Sequence, residues 1–289
     1  MIELRNEDCF VTMDSMRDDS IDVVLTSPFY NTNKKARKDK TLLNAKPRKG
    51  REFLRYDVHV DNMTNDEYCE FTVNLFDGLE RILKPNGCVL YNLSYGSENT
   101  EGMFRAVSAI IERTVFTIAD VISWKKSTAI PNSVSPNKLT RIMEYVFVFC
   151  RKGETQTFHC NKSVVSVRKS GQRQYESIQN LIEAKNNDGP CPYNKATYSS
   201  DLCMKLLALY APSGGCVYDP FMGSGTTAVA CARMGLSCIG SEISSNQVAY
   251  AEERLAKESQ TALALQFDEG FEEGYDPRAA NAILEGVTP

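Results

Sequence analysis

Apolar positions along the chain alternate between strand-like runs and helix-like periodicity. Ile21-Asp22-Val23-Val24-Leu25-Thr26 is a short β-branched run ending at Ser27-Pro28, which predicts a buried parallel strand whose carboxyl end opens into a loop. Thr64-Asn65-Asp66-Glu67 has capping-box spacing, and Tyr68, Phe71, Leu75, Leu79, Ile82 and Leu83 recur at helical intervals up to Lys84-Pro85-Asn86-Gly87. A helix is predicted between these signals. Apolar runs at 88–93 and 117–124 and a strand-like segment at 144–150 follow, with a helical candidate at 104–113. In the C-terminal third, Ser200 is placed to cap a helix over 201–211, and Gly215-Cys216-Val217-Tyr218-Asp219 reads as a strand. A Gly-rich turn, an Ala-rich helix at 226–234, the strand Ser237–Ser241 and a helix from about 245 to 257 complete a βαβ unit. The fold class is α/β.

Four segments emerge. Residues 1–150 and 199–258 are two halves of one α/β domain, residues 151–198 are an irregular insertion rich in Gly and Pro, and residues 259–289 are an acidic tail. The length of 289 residues suits one large domain with an insertion. No window reaches the ~18 apolar residues of a membrane span, and Met1 to Asp8 lacks the basic-then-apolar run of a secretory signal. The expected location is cytoplasmic, with no membrane partner.

Charge changes the picture more than composition does. The net charge is −4, but residues 33–55 carry ten basic side chains against two acidic ones. That local +8 leaves −12 for the remainder, so a slightly acidic chain contains a strongly basic loop suited to phosphates. The ten cysteines include no Cys-x-x-Cys pair, and the two histidines, His59 and His159, give no zinc-ligand spacing. No metal site is expected, and most thiols read as small buried hydrophobes. Cys191, beside Pro190 in the insertion, is not expected to act as a nucleophile. Glu144 is expected to be structural rather than a general base, with any released proton passing to water.

Two segments carry candidate chemistry. After one strand comes Ser27-Pro28-Phe29-Tyr30; after another comes Asp219-Pro220-Phe221-Met222-Gly223-Ser224-Gly225-Thr226-Thr227. Gly223 and Gly225 permit a tight turn and close ligand approach before a helix. Glu242, 17 residues after Gly225 at the end of the next strand, is placed to accept ribose hydroxyls. Three nucleoside-bearing ligands compete. A nucleoside triphosphate fits poorly, because no Lys follows the glycines. A nicotinamide dinucleotide matches the loose glycine pattern, but a carboxylate at the strand tip would repel its pyrophosphate. S-adenosylmethionine, with an ammonium, a ribose and no phosphate, suits both acids. In the first segment, Ser27 and the Pro28 carbonyl can accept hydrogen bonds from an amino group, and Tyr30 can stack on a planar base. Accepting those protons turns the nitrogen lone pair toward an electrophile.

The order of these motifs, with the amine-site motif and basic loop before the cofactor motif, resembles the β group of DNA amino-methyltransferases, over roughly residues 1–258. The family pattern (Asp/Asn/Ser)-Pro-Pro-(Tyr/Phe) departs here at Phe29, which stands where a second proline is usual and implies a less rigid loop. The resemblance implies a Rossmann-like, seven-stranded, mostly parallel sheet with helices on both faces, and a target-recognition role for the insertion. It implies that Ser27, Pro28, Phe29 and Tyr30 hold a flipped base, and that Asp219, Phe221, Gly223, Gly225 and Thr226 cradle the methionine end of S-adenosylmethionine. Glu242 would bind ribose and Asp8 the adenine. Double-stranded DNA would meet Lys34, Lys35, Arg37, Lys38, Lys40, Arg48, Lys49 and Arg51 of the basic loop, and Arg168, Lys169 and Arg173 of the insertion. Ser at position 27 leans toward cytosine N4, with adenine N6 nearly level. A cognate restriction nuclease and a homodimer are further partners the resemblance brings into view. Two other classes stay open: an RNA or protein amide methyltransferase, which usually has the reverse motif order, and a DNA-binding module with weak catalysis.

Overall fold

The structure, a computed structural model, describes residues 1–31, 63–96, 99–129, 131–133, 135–194 and 196–268, the last eight by backbone alone. The first half contains β1 (Ile2–Arg5), α1 (Cys9–Ser15), β2 (Ile21–Thr26), α2 (Asn65–Ile82), β3 (Leu83–Leu93), α3 (Gly102–Arg113), β4 (Phe116–Lys126) and β5 (Met143–Arg151). Then come β6 (Val164–Val167), β7 (Arg173–Tyr175), β8 (Leu181–Ala184), α4 (Ser200–Tyr210), β9 (Cys216–Asp219), α5 (Thr226–Arg233), β10 (Ser237–Ser241) and α6 (Ser245–Asp268).

The main sheet runs β1-β10-β9-β2-β3-β5-β4-β8. Five of its seven pairings are parallel, and only β3–β5 and β5–β4 are antiparallel. Eight strands stand where seven were expected, because β8 arises inside the segment read as an insertion. Its residues alternate, with Ile182 and Ala184 buried and Leu181 and Glu183 exposed. That period of two suits a half-covered edge strand. Outside this sheet, β6 and β7 form a separate antiparallel hairpin.

Strand β2 is buried on both faces, as its continuous apolar run requires. Val23 and Leu25 join one core with Trp124, Leu202, Leu206 and Ala228, beneath α4 and α5. Val24 joins the other with Leu75, Phe76, Leu79 and Phe149, beneath α2. Helix α2 begins with the expected capping box, in which Thr64 Oγ1 accepts from the Glu67 amide while Glu67 accepts from the Thr64 amide. Its expected stop is shifted: the chain passes from Ile82 directly into β3 at Leu83. At α4 the cap is Ser199, which accepts from the Leu202 amide, and Ser200 instead bonds Asp188. All ten cysteines are free thiols.

Candidate active site

The sheet order places the site. From β2 the chain proceeds toward β3 on one side, whereas from β9 it proceeds toward β10 on the other. The two strands lie side by side, Val23 opposite Val217 and Val24 opposite Tyr218. A crevice opens at the carboxyl ends of strands where the order reverses in this way. The loops that follow β2 and β9 are the two candidate segments, brought together from opposite ends of the chain.

Asp219 ties those loops. It is fully buried, and one of its oxygens accepts from Thr26 Oγ1 at 2.7 Å and the Phe221 amide at 3.1 Å. The other accepts from Thr227 Oγ1 at 2.6 Å and Tyr198 Oη at 3.1 Å. Burial pushes its carboxyl above the ordinary carboxylate range, against the opposing pull of these hydrogen bonds.

In front of these loops lies a cavity of about 290 Å³, near the lower end of small-ligand pockets at roughly 300–1,000 Å³. Its wall carries three carboxylates, Glu7, Asp8 and Glu242, and no cationic side chain among the described residues that line it. Phe71, Phe221 and Ile243 supply apolar surface. Both glycine amides of the turn are engaged: the Gly223 amide donates to Glu242 Oε2 at 3.0 Å and the Gly225 amide to the Met222 carbonyl at 3.0 Å. A loop that cradles phosphate needs such amides free. A wall with acids, apolar surface and engaged amides fits a cationic nucleoside without phosphate, and S-adenosylmethionine has that chemistry.

The amine-site loop is held from behind by aromatic rings. Phe29 packs against Phe71, Tyr68 and Phe221 at centroid distances of 5.1, 5.5 and 6.3 Å. Its carbonyl accepts from Tyr68 Oη at 2.7 Å. Asn31, at φ +46°, uses the left-handed region that Asn tolerates, and its carbonyl accepts from Asn99 at 2.7 Å. Order lost with the missing proline is thus supplied by packing. We expect Phe29→Pro to weaken S-adenosylmethionine binding by at least about tenfold in calorimetric titration, because three ring contacts of roughly 0.5–1.5 kcal/mol each disappear from the cavity wall. Unchanged affinity would show that the rings are dispensable.

A family model described as DNA methylase, of the N6/N4 class, matches residues 21–253. The chain belongs to this DNA methylase family. The type II methyltransferase M.MjaI of Methanocaldococcus jannaschii is 24% identical over 284 residues, covering 90% of this chain and 92% of that protein. The type II methyltransferase M2.DpnII of Streptococcus pneumoniae is 27% identical over 199 residues, covering 68% and 70%. Among solved structures, PvuII DNA methyltransferase, titled cytosine-N4-specific, superposes with a TM-score of 0.63 at 16% identity, covering 98% of this chain and 91% of that one. A DNA modification methylase of Thermus thermophilus complexed with S-adenosyl-L-methionine gives 0.55 at 17% identity, covering 89% and 96%.

In the methylase, six of the predicted site residues, Asp8, Ser27, Phe29, Phe221, Gly223 and Glu242, line one cavity. Three other predicted ligand residues do not line it. Asp219 is turned inward on its four donors, so its carboxylate joins loops instead of facing an ammonium group. Gly225, at φ +76°, caps α5, and a Cβ there would meet the Ala251 Cβ at 2.5 Å; it serves helix packing. Thr226 is buried beside Arg254. Pro28 and Tyr30 also lie outside the lining, and the Tyr30 hydroxyl is engaged with Ser27, Asn92 and Glu144. Arg168, Lys169 and Arg173 are exposed on the β6–β7 hairpin and its turn. Lys34, Lys35, Arg37, Lys38, Lys40, Arg48, Lys49 and Arg51 lie outside the described residues.

Sequence reasoning missed Phe71, Ile243, Asn194, Gln247 and Asn92. Ile243 carried a signal, as an apolar residue directly after the acid that follows β10, and it is 47% exposed. Asn92 carried another, as a polar side chain near the end of a buried apolar strand. Phe71 and Gln247 sit on helices whose periodicity marked only core and surface.

Proposed function

We propose that the methylase transfers a methyl group to N4 of a cytosine turned out of duplex DNA. The observation that carries this reading is Ser27 Oγ at the carboxyl end of β2, on the wall of the same cavity as the acids suited to the cofactor. S-adenosylmethionine is the methyl donor. Bound there, it supplies an electrophilic methyl carbon. Glu242 is assigned to the ribose, and Asp8 with Ile243 to the adenine. Ser27 Oγ and the Pro28 carbonyl accept from the amine N–H groups and so direct the nitrogen lone pair toward the methyl carbon. A serine hydroxyl is a weaker acceptor than a carboxylate, which suits cytosine N4 in this reading. The base must leave the helix stack to reach such a recessed loop. The basic loop and the Arg168–Arg173 turn are assigned to the phosphates, which makes affinity fall with salt.

Incubation with isotopically labelled cofactor and mixed-sequence duplex DNA, followed by digestion to nucleosides and mass spectrometry, tests the proposal. Labelled N4-methylcytosine is expected. Labelled N6-methyladenine instead would overturn the base assignment. Cofactor and DNA binding without either product would favour a binding module.

A further inference from the structure

The Ser27 hydroxyl begins a line of polar groups that ends on a carboxylate from another strand. Ser27 Oγ lies 2.9 Å from Tyr30 Oη, which donates to Glu144 Oε2 at 2.9 Å. From β3, Asn92 Nδ2 donates to Tyr30 Oη at 2.6 Å and lies 3.2 Å from both Ser27 Oγ and Glu144 Oε2. Glu144 stands on β5, with its side chain 12% exposed. Lys126 of β4 is its counter-ion, and the Lys126 ammonium lies 5.0 Å from the centre of the Trp124 ring.

Donor accounting gives this line a direction. A carboxylate paired with an ammonium only accepts, so Tyr30 spends its single proton on Glu144. The Ser27 proton then goes to the Tyr30 oxygen, Asn92 engages one lone pair of Ser27 Oγ, and the other is left for the amine. A hydroxyl that elsewhere donates as readily as it accepts is thereby made an acceptor.

We propose that Glu144 imposes this polarity and is the final acceptor of the proton released by methyl transfer, reached through Ser27 and Tyr30. The proposal rests on reading Ser27 as the amine site. As the nitrogen–carbon bond forms, the methyl–sulfur bond breaks and its electron pair stays on sulfur, leaving the positive charge on nitrogen. The surplus nitrogen proton passes to Ser27 Oγ, the serine proton to Tyr30 Oη, and the tyrosine proton to Glu144 Oε2. The sulfonium has become a neutral thioether, the carboxylate a carboxylic acid, and water regenerates Glu144 after product release. Glu144 touches neither base nor cofactor, so it is a positioning residue and the end of a relay.

Single-turnover methylation of duplex DNA at saturating cofactor tests this with Tyr30→Phe, Glu144→Gln and the double variant. Phe keeps the ring of residue 30, and Gln keeps the shape of residue 144 and an oxygen for Tyr30, but neither carries the proton onward. Each single change is expected to slow methyl transfer by roughly 10–100-fold, with cofactor and DNA dissociation constants within about twofold of the parent. The double variant should be no slower than the slower single one, because both break the same line. Glu144→Asp should recover part of the rate. Parental rate in Glu144→Gln, multiplying losses in the double variant, or losses that track binding and thermal midpoint would overturn the relay. Should Glu144→Gln fail to fold, Tyr30→Phe carries the test, since it leaves the Lys126–Glu144 pair in place. An inactive Ser27→Ala beside a fully active Glu144→Gln would remove only the relay; a fully active Ser27→Ala would remove the amine-site reading itself.

Discussion

Asp219→Ala is expected to lower stability by about 3–5 kcal/mol and to abolish measurable S-adenosylmethionine binding, whereas Asp219→Asn is expected to stay within roughly 1 kcal/mol of the parent and still bind. The asymmetry follows from the four donors on the carboxylate. Alanine leaves the hydroxyls of Thr26, Thr227 and Tyr198 and the Phe221 amide without an acceptor inside the protein. Asparagine keeps one oxygen for Thr26 and Phe221, and its amide group can donate to Thr227 and Tyr198, whose hydroxyls rotate to accept. Chemical denaturation and calorimetric titration check both variants. If Asp219 instead paired with the cofactor's ammonium, Asp219→Asn would lose affinity as severely as Asp219→Ala, so equal losses would overturn the scaffold role.

The same residue has a pH signature. Its folded-state pKa is raised by burial, so the native state holds this proton more tightly than the unfolded chain does. The Asp219 contribution to stability is then fully present below the ordinary carboxylate value and is lost as pH rises through the raised one. Asp219→Asn removes that dependence. The stability difference between parent and Asp219→Asn should therefore shift against the parent as pH rises across that window.

Ser27→Ala is the second large effect, a fall of about 100-fold in the single-turnover rate with cofactor affinity unchanged within about twofold. Removing one preorganised oxyanion-hole donor costs about 10²–10³ in rate, and an acceptor aimed at the amine that gains charge is expected to matter on the same scale. The loss should appear in the rate and not in cofactor binding, because Glu242, Asp8 and the aromatic wall are untouched by the change. Stability should change little: the Tyr30 hydroxyl keeps Asn92 and Glu144 as partners. Rapid-quench measurement against a thermal melt separates these expectations. A weakened cofactor with an unaltered rate would place Ser27 on the cofactor side of the cavity.

The site was legible in the sequence only in part. Ser27, Gly223 and Glu242 stand out as candidates because each follows a strand in a short pattern with a local meaning: an acceptor, a positive-φ turn and an acid. The hydrogen-bond partners of Asp219 and Glu144 do not. Asp219 at a strand tip reads as a ligand group until Tyr198 and Thr26, 21 and 193 residues away, are seen to saturate it. Glu144 reads as a structural residue of a strand until Tyr30, 114 residues away, is seen to donate to it. Phe29 was read as a loss of rigidity, because the three rings that restrain it come from α2 and from the loop after β9.

What the amino-acid sequence by itself determined is the elements from β2 to β5 and from α4 to α6, with their local chemistry; β1, α1 and the strands within 151–198 were not read from it. Apolar periodicity, the capping box at Thr64 and the glycine turn act over a few residues, and nearby residues suffice to define them. What only the tertiary structure decided is the partner of each polar group. The β2–β9 pairing joins loops about 190 residues apart in the chain, β8 leaves the insertion to become an eighth strand, and buried donors choose their acceptors by proximity in the folded sheet. A buried hydrogen bond is specified by who lies within 3 Å after packing, and sequence spacing does not carry that information across the chain.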